Sequence, residues 1–389
     1  HNLPAWRALA LIGRETGDQE LAREAHGEVA ATDPLDPFVR VEAYLSNRGE
    51  AAAQNLLDGF HGEYPDQAIL ELGIWYASLG RYEDASPVLE IGAQVGFGSG
   101  PLQRAWKAML GAGPGHLLDP PPPDFSFPYR VESIPVLTWA ARNSDDWRWD
   151  YLLALNLWAV NRWDETAEIL KGLGTEPRFA PLFVARGLLL NWLEDTSPIP
   201  DLRLAVEADP GTRVMHIHLV QWLLVEERWS EALASVEAAK ARFPNDFNLE
   251  LLEAKALINL GRAEEAAEIL THTYVLPSEN ARESHRLWEQ AHIMAGLDAL
   301  DAGNPESARS HLLQAMEWPE NLGQGRPYEP EEQLARYVLG HAEAQLGNPA
   351  AAEATRELRP RIEELEVRSR TEVERTLARR ALQLGRGIR

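Results

Sequence analysis

Residues 226–244 decide the fold, and they read Glu-Glu-Arg-Trp-Ser-Glu-Ala-Leu-Ala-Ser-Val-Glu-Ala-Ala-Lys-Ala-Arg-Phe-Pro. Apolar and small residues recur there at helical spacing and form one stripe: Trp229, Ala232, Leu233, Val236, Ala239 and Phe243. The opposite face carries polar residues, among them Glu231 and Arg242. This pattern predicts an amphipathic helix that begins at Trp229 and ends at Phe243, before Pro244.

The beginning of this helix is repeated along the chain. Six segments have an arginine or asparagine followed, four positions later, by a small residue: 80–85, 161–166, 227–232, 261–266, 303–308 and 347–352. Arg228 and Arg262 are 34 residues apart, and the other steps are 81, 66, 42 and 44 residues. A unit that recurs with insertions predicts helix hairpins, in which glycine frees the turn, the small residue lets two helices approach, and proline ends the unit.

With the small residue at the twentieth position of a 34-residue unit, the chain resembles tetratricopeptide repeats. The residues that carry the resemblance best are Leu72, Gly73, Tyr76 and Ala85, in the unit that begins at Asp66. Further units begin at Leu3, Trp147, Phe179, Arg213, Phe247, Glu289 and Gln333. Thr166 and Pro198 stand where the family has a small alanine, which puts the helix pairing of those two units in doubt.

The resemblance implies an all-α fold, an α-solenoid of about nine stacked hairpins in a right-handed superhelix. We predict tetratricopeptide-like repeats at 1–110, a Pro/Gly-rich linker packed irregularly on the solenoid at 111–133, further repeats at 134–352, and a C-terminal capping helix at 353–389. The last helix is expected to follow Pro360. A second stretch rich in proline and glycine, 318–330, predicts a long surface loop.

Composition excludes several classes of function. The chain has 389 residues and a net charge of −23, which disfavours nucleic acid as a partner, and no apolar run is long enough to span a membrane. The absence of cysteine excludes disulfides and thiolate chemistry and fits a cytoplasmic location. Because the chain begins with His1 rather than Met, we expect it to be a piece of a longer protein.

No motif predicts catalysis, a cofactor or a metal site. His285, Glu289 and His292 share one helical face, but carboxylate-bridged metal sites need a second Glu-x-x-His pair and further carboxylates. The glycines of 96–100 follow a predicted helix rather than a strand, so they indicate a turn rather than a phosphate cradle. We therefore predict that this chain is not an enzyme and binds no cofactor; its oligomeric state is left open.

Aromatic residues are concentrated toward the end of the N-terminal half. Six of the 13 tryptophans lie between Trp139 and Trp192, directly after a segment that contains three further aromatic rings. Two interpretations stay open, a hydrophobic junction where the repeats restart and a recognition surface. For the second, the candidate binding residues are Tyr129, Arg130, Glu132, Trp139, Trp147, Trp149 and Tyr151.

The same region carries a second resemblance. Residues 33–42, 127–133, 139–140 and 151–155 are similar to the C-terminal repeat region of large bacterial proteins with a domain of unknown function. In those proteins the upstream part resembles a β-sandwich of the galactose-mutarotase type, which implies that any catalytic module precedes His1. We predict a scaffold that binds a protein or peptide, with an accessory region that binds oligosaccharide as the alternative.

The repeat register can be tested at Ala232, the small residue of the best-defined hairpin. We expect Ala232→Leu to lower the free energy of unfolding by about 1–3 kcal/mol, because a larger side chain would force the two helices apart. Thermal or urea denaturation measures the change. An unaltered stability would show that the register is wrong.

Overall fold

The computed structural model describes residues 2–59, 65–94, 101–112, 120, 122–123, 131–277, 282–369 and 371–384. Every regular element in these ranges is helical, which confirms the all-α prediction. The chain forms two compact units, His1–Pro177 and Arg178–Arg389, each with its own hydrophobic core. The linker predicted at 111–133 lies mostly outside the described ranges, so that boundary stays a prediction.

The first unit contains ten α-helices among its described residues. They are α1 Leu3–Thr16, α2 Gln19–Thr32, α3 Phe38–Ser46, α4 Glu50–Leu57, α5 Pro65–Ser78, α6 Tyr82–Gln94, α7 Pro101–Lys107, α8 Ile134–Arg142, α9 Trp147–Ala159 and α10 Trp163–Gly172. A π-helical turn, Ala108–Ala112, continues α7, and a 3₁₀ turn, Val131–Ser133, precedes α8.

The second unit continues the same alternation. Its helices are α11 Ala180–Glu194, α12 Ile199–Ala208, α13 Arg213–Val225, α14 Trp229–Arg242, α15 Phe247–Asn259, α16 Ala263–His272, α17 Glu283–Asp301, α18 Pro305–Ala315, α19 Gln333–Gln345, α20 Pro349–Arg368 and α21 Glu372–Leu384. All eight units expected from the sequence are hairpins. A ninth hairpin, α3 with α4, was not recognised.

One turn geometry joins the two helices at all six segments picked out by the sequence. The residue before the arginine or asparagine has a positive φ: Gly80, Asn161, Glu227, Gly261, Gly303 and Gly347. The next N–H donates back to the fifth residue before it, as Arg228 does to the carbonyl of Leu223 at 2.8 Å and Arg262 to that of Leu257 at 2.8 Å. This is the left-handed helix end closed by two nested hydrogen bonds, and it reverses the chain within a few residues.

The small residues pack as the register requires. Ala85, Ala232, Ala266 and Ala308 have no exposed surface. On the facing helix, a Cβ at Gly73 would come within 2.5 Å of the Leu89 side chain, so the first and second helices of that hairpin meet without space for a methyl group. Close packing of this hairpin therefore limits the size of the side chain on both helices, at Gly73 on the first and at Ala85 on the second.

Two departures from the repeat pattern do not break the pairing. Thr166 is fully buried, and its hydroxyl donates to the carbonyl of Arg162 at 3.0 Å and lies 3.3 Å from that of Ala154 on α9. Threonine thus fits the alanine position because it satisfies its own polar group. Pro198 is the N-cap residue of α12 and lies against Gly187 of α11. Because Gly187 has no side chain, the two helices can approach although proline replaces the smaller alanine.

The prediction of a surface loop at 318–330 is wrong for its first half. Leu322 is buried, and the amide of Asn321 donates to the carbonyls of Leu270 at 3.1 Å, Thr271 at 3.3 Å and Thr273 at 2.7 Å. In return, the N–H of Val275 donates to the carbonyl of Asn321 at 2.7 Å. The loop after α18 is therefore hydrogen-bonded to the loop after α16, whereas Tyr328 is almost fully exposed.

The C-terminal end also differs from the expected single helix. α20 runs through Pro360 without a break, and the chain turns only after Arg368. The residues expected to form one stripe after Pro360 are therefore divided between two helices, with Ile362 and Leu365 on α20 and Leu377 and Ala381 on α21. The apolar periodicity of the sequence does not reveal the turn between Arg368 and Glu372, so it predicts one helix where there are two.

The strain of a non-glycine residue at the turn can be measured at Glu227, whose φ is 58° and whose side chain is exposed. We expect Glu227→Gly to raise the free energy of unfolding by about 1 kcal/mol, because glycine adopts this conformation without a Cβ penalty. Gly261→Ala, at the same position of the next hairpin, should lower it by about 1 kcal/mol, because alanine is strained at a φ of 74°. A Cβ there meets nothing within 4 Å, so backbone strain alone is measured.

Urea denaturation of the two single variants checks both signs. Glu227→Asn serves as a control, because it removes the charge but keeps a residue that tolerates positive φ. If Gly261→Ala were neutral, the turn would not be the constraint inferred here.

Candidate functional site

The predicted aromatic segment is described from Val131 onward. Pro135 occupies the first turn of α8, where its missing N–H costs nothing, and Asp146 caps α9 by accepting the N–H of Arg148 at 3.1 Å. The guanidinium of Arg148 also donates to Asp146, and this hydrogen bond holds the pKa of the Asp146 carboxyl below its usual value. Capping by Asp146 therefore stabilises the beginning of α9, which carries Trp147 and Tyr151.

The structure separates the candidate binding residues into three groups. Tyr129 and Arg130 lie outside the described residues. Trp149 and Tyr151 are buried, with 1% and 4% of their surface exposed, so neither presents a ring face to a ligand. Trp139 and Trp147 are half-buried, and Glu132 is exposed. Burial gives Trp149 and Tyr151 a packing role, and a binding role for the set stays a prediction.

Glu132 contributes to a cleft of about 260 Å³ in the first unit, called cleft 1 here. Its other lining residues come from α1, from the segment before α3 and from α5: Arg7, Asp36, Pro37, Ala68, Glu71, Leu72, Ile74, Trp75 and Ser78. Leu72 and Ile74 are buried, whereas Trp75 is half-buried. Cleft 1 thus combines an indole wall with several charged groups.

The charges of cleft 1 are unequal. Among the described residues of its lining, the one guanidinium is that of Arg7, which is paired with Asp36 at 2.5 Å and lies 5.7 Å from the centre of the Phe38 ring. Asp36 also accepts the N–H of Phe38 at 3.0 Å. Two further carboxylates, Glu71 and Glu132, line the cleft, so its described lining carries three carboxylates and one guanidinium. The site therefore favours a ligand with positive charge.

A buried polar network fixes the indole wall from behind. Trp75 meets the Phe38 ring edge-on with centroids 5.4 Å apart and the Tyr76 ring at 4.9 Å. The hydroxyl of Tyr76 donates to Glu42, which also accepts from Arg14 at 2.7 Å. Burial, with the nearby Glu42 carboxylate, raises the pKa of Tyr76, so the hydroxyl stays protonated and keeps donating.

Arg14 joins three helices in this network. Besides Glu42 on α3, its guanidinium donates to Asp84 on α6 at 2.8 Å, and Asp84 also pairs with Arg81 at 3.0 Å. Glu42 and Asp84 have almost no exposed surface. Sequence analysis missed this network because it joins residues 28 and 70 positions apart; the only local signal is the acid three residues after Arg81.

A second cleft, of about 360 Å³, lies on α8, α9 and α10 and is called cleft 2. Its apolar lining includes Ile134, Leu153 and Leu157, and its charged residues include Arg142 and Asp150. Burial raises the pKa of Asp150, because loss of water disfavours the charged carboxylate. The five candidate binding residues that the structure describes do not line cleft 2.

The histidines considered as metal ligands serve packing instead. His285 stacks on Trp318 with centroids 3.4 Å apart, and a ring nitrogen lies 3.1 Å from the carbonyl of Glu317. His292 packs edge-on against Trp288. Within the described ranges, no group of three or more His, Asp or Glu side chains could hold a metal ion. The glycines of 96–100 lie outside those ranges.

No helix in the described part of the chain is both long and apolar enough to cross a membrane. No family model matches the sequence, and no curated protein does either.

Solved structures give only distant likenesses. A structure of MamA from AMB-1 is 15% identical over 43% of this chain and 95% of its own, with a TM-score of 0.32. PilW, described as a type IV pilus biogenesis factor, is 14% identical over 60% of this chain and 99% of its own, with a TM-score of 0.33. A tetratricopeptide repeat protein from Parabacteroides merdae is 14% identical over 72% of this chain and 98% of its own, with a TM-score of 0.30. These values assign no functional residue.

The packing role of Trp149 can be tested by truncation. We expect Trp149→Ala to lower the free energy of unfolding by about 3–5 kcal/mol, because removal of a buried indole leaves a large cavity. Tyr82→Ala, an exposed ring of the same unit, should cost less than about 1 kcal/mol. Denaturation followed by far-UV circular dichroism compares the two, and similar losses would contradict the burial described here.

Proposed function

We propose that this chain is a non-catalytic scaffold that binds a peptide segment of a partner protein, and that cleft 1 is the binding site in the first unit. The observation that carries the proposal is that Glu132 lines cleft 1 together with the half-buried Trp75, while the guanidinium of Arg7 in the same cleft is paired with Asp36. An apolar wall with carboxylates at its edge suits a peptide with an apolar side chain next to lysine or arginine.

The support of the cleft agrees with a binding role. Trp75 is carried by α5 and braced by Phe38 and Tyr76, so the ring is held before a ligand arrives. A preorganised site loses less conformational entropy on binding than a flexible one. Hairpin repeats supply such sites by placing side chains on neighbouring helices at fixed distances.

Three parts of the proposal rest on the sequence alone. These are that the chain forms the C-terminal part of a larger bacterial protein, that an upstream β-sandwich accompanies it, and that it is cytoplasmic. Oligosaccharide binding is the alternative, because a tryptophan beside carboxylates also suits a sugar ring. The experiment below includes it.

Peptide arrays followed by calorimetry test the proposed function. We expect peptides with an apolar residue next to lysine or arginine to bind, with an affinity that falls as salt concentration rises. Glu132→Lys should weaken binding about tenfold, because it places a positive charge beside the ligand's own. Glu28→Lys, at an exposed position of α2, makes the same charge change away from cleft 1 and should leave binding unaltered.

Other results would overturn the proposal. Equal losses in the Glu132 and Glu28 variants would show that net charge acts rather than the cleft. Binding of members of an oligosaccharide panel, without peptide binding, would favour the alternative function.

A further inference from the structure

The last helix, α21, lies against the first helices of two different hairpins. It contacts α17 and α19 as well as α20, which precedes it in the chain. One stripe of α21 is buried in this contact: Leu377, Ala378, Ala381 and Leu382. The surface formed by α17 and α19 under this stripe is called the helix groove here.

Polar contacts show how α21 is oriented in the helix groove. Near its beginning, Glu374 accepts from the amide of Gln290 at 3.2 Å. Near its end, the guanidinium of Arg380 donates to Asp298 at 2.8 Å and to Asp301 at 2.6 Å. α21 therefore runs in the same direction as α17. Asp298 and Asp301 are 48% and 63% exposed, so these ion pairs hold the helix only weakly.

One contact opposes the docking of α21. Glu289 on α17 lies near three other carboxylates, those of Glu374 on α21 and of Glu331 and Glu332 before α19. Within this group, Glu332 is paired with two arginines, Arg326 and Arg336, each at 2.7 Å. No described basic side chain forms an ion pair with Glu289.

The protonation of Glu289 decides how strong this repulsion is. Burial, together with the charges of Glu374, Glu331 and Glu332, raises the pKa of Glu289 to about 8. His285 and His292, on the same helix, do not compensate, because burial lowers the pKa of both imidazoles and keeps them neutral. At neutral pH the contact therefore depends on a proton held by Glu289.

We propose that α21 is a releasable helix that covers a docking groove on α17 and α19, and that the groove takes a basic amphipathic helix of the same kind when α21 leaves. The occupant seen in the structure defines the ligand chemistry: a narrow stripe of leucine and alanine with arginines beside it. With α21 removed, the groove presents Glu289, Asp298 and Asp301, the acidic residues of α17 that interact with Glu374 and Arg380 of α21. This proposal concerns the second unit and is independent of cleft 1.

The direction of the pH effect follows from proton linkage. Docked α21 favours protonated Glu289, whereas release takes away Glu374 and part of the burial and moves the pKa back toward its ordinary value of 4.5. The docked form therefore holds more protons between these two values, so it is stable at low pH and loses stability as pH rises toward about 8. Alkaline conditions should release the helix.

Hydrogen exchange of the full chain tests the release. After correction for intrinsic exchange, we expect the α21 amides to open about tenfold more often at pH 8.5 than at pH 6.5, while those of α17 and α19 keep their protection. Glu289→Gln should remove this dependence on pH, and Glu264→Gln, an exposed site on α16, should not. If α21 exchanged together with α17 and α19 at both pH values, it would be a permanent part of the fold and the proposal would fail.

A peptide of residues 371–384 tests the groove itself. We expect the labelled peptide to bind the Leu377→Asp chain, in which α21 is displaced, at least tenfold more tightly than the unaltered chain, whose groove is occupied. Arg380→Glu should also increase peptide binding, and Asp298→Lys with Asp301→Lys should restore docking in that variant. Failure of the peptide to bind a folded Leu377→Asp chain would overturn the groove. If Leu377→Asp did not fold, the Arg380→Glu chain would replace it. Failure of the peptide to bind that chain would equally overturn the groove.

Discussion

A single residue in the left-handed conformation, between two helices, is the constraint on which this structure depends. The hydrogen bonds around it bring the second helix back against the first. The residue four positions after the following arginine or asparagine then lies at the closest contact between the helices. Only a small side chain fits there. Asn161 and Glu227 adopt the conformation although they lack the freedom of glycine, which shows that the geometry of the hairpin overrides the preference of the residue.

Six hairpins could be predicted because six consecutive residues determine this turn. The hairpin of α3 and α4 could not be predicted in this way, because its connection, Asn47 to Gly49, contains no residue with positive φ and therefore lacks the pattern. Thr166 and Pro198 were misjudged because the compensating groups, a carbonyl of α9 and the bare Cα of Gly187, lie on the facing helix. Local pattern predicts the turns, but the partners of irregular residues are set by tertiary packing.

The candidate site was harder to predict, because aromatic content does not tell which side of a helix is exposed. Trp149 and Trp75 both lie on helices that are apolar over most of their surface, and only packing shows that the first is covered and the second half open. Buried charges were equally hidden. In the sequence, nothing distinguishes Glu42 and Asp84 from other acidic residues. In the structure, both pair with Arg14, and the three residues lie on three different helices. The acidic composition disfavours nucleic acid as a partner, but it does not show where on the surface the negative charge is concentrated.

The hydrogen bonds of Asn321 link the lengths of two separate insertions. The loop after α16 leaves the carbonyls of Leu270, Thr271 and Thr273 without helical partners, and the loop after α18 supplies the one amide that reaches all three. A Cβ at Gly323 would lie 2.6 Å from the carbonyl oxygen of Val275, so a side chain does not fit where the two loops meet. Neither loop can be shortened alone without stranding the polar groups of the other. The irregular spacing of these repeats is therefore a matched pair of changes, which a lineage would have to gain or lose together.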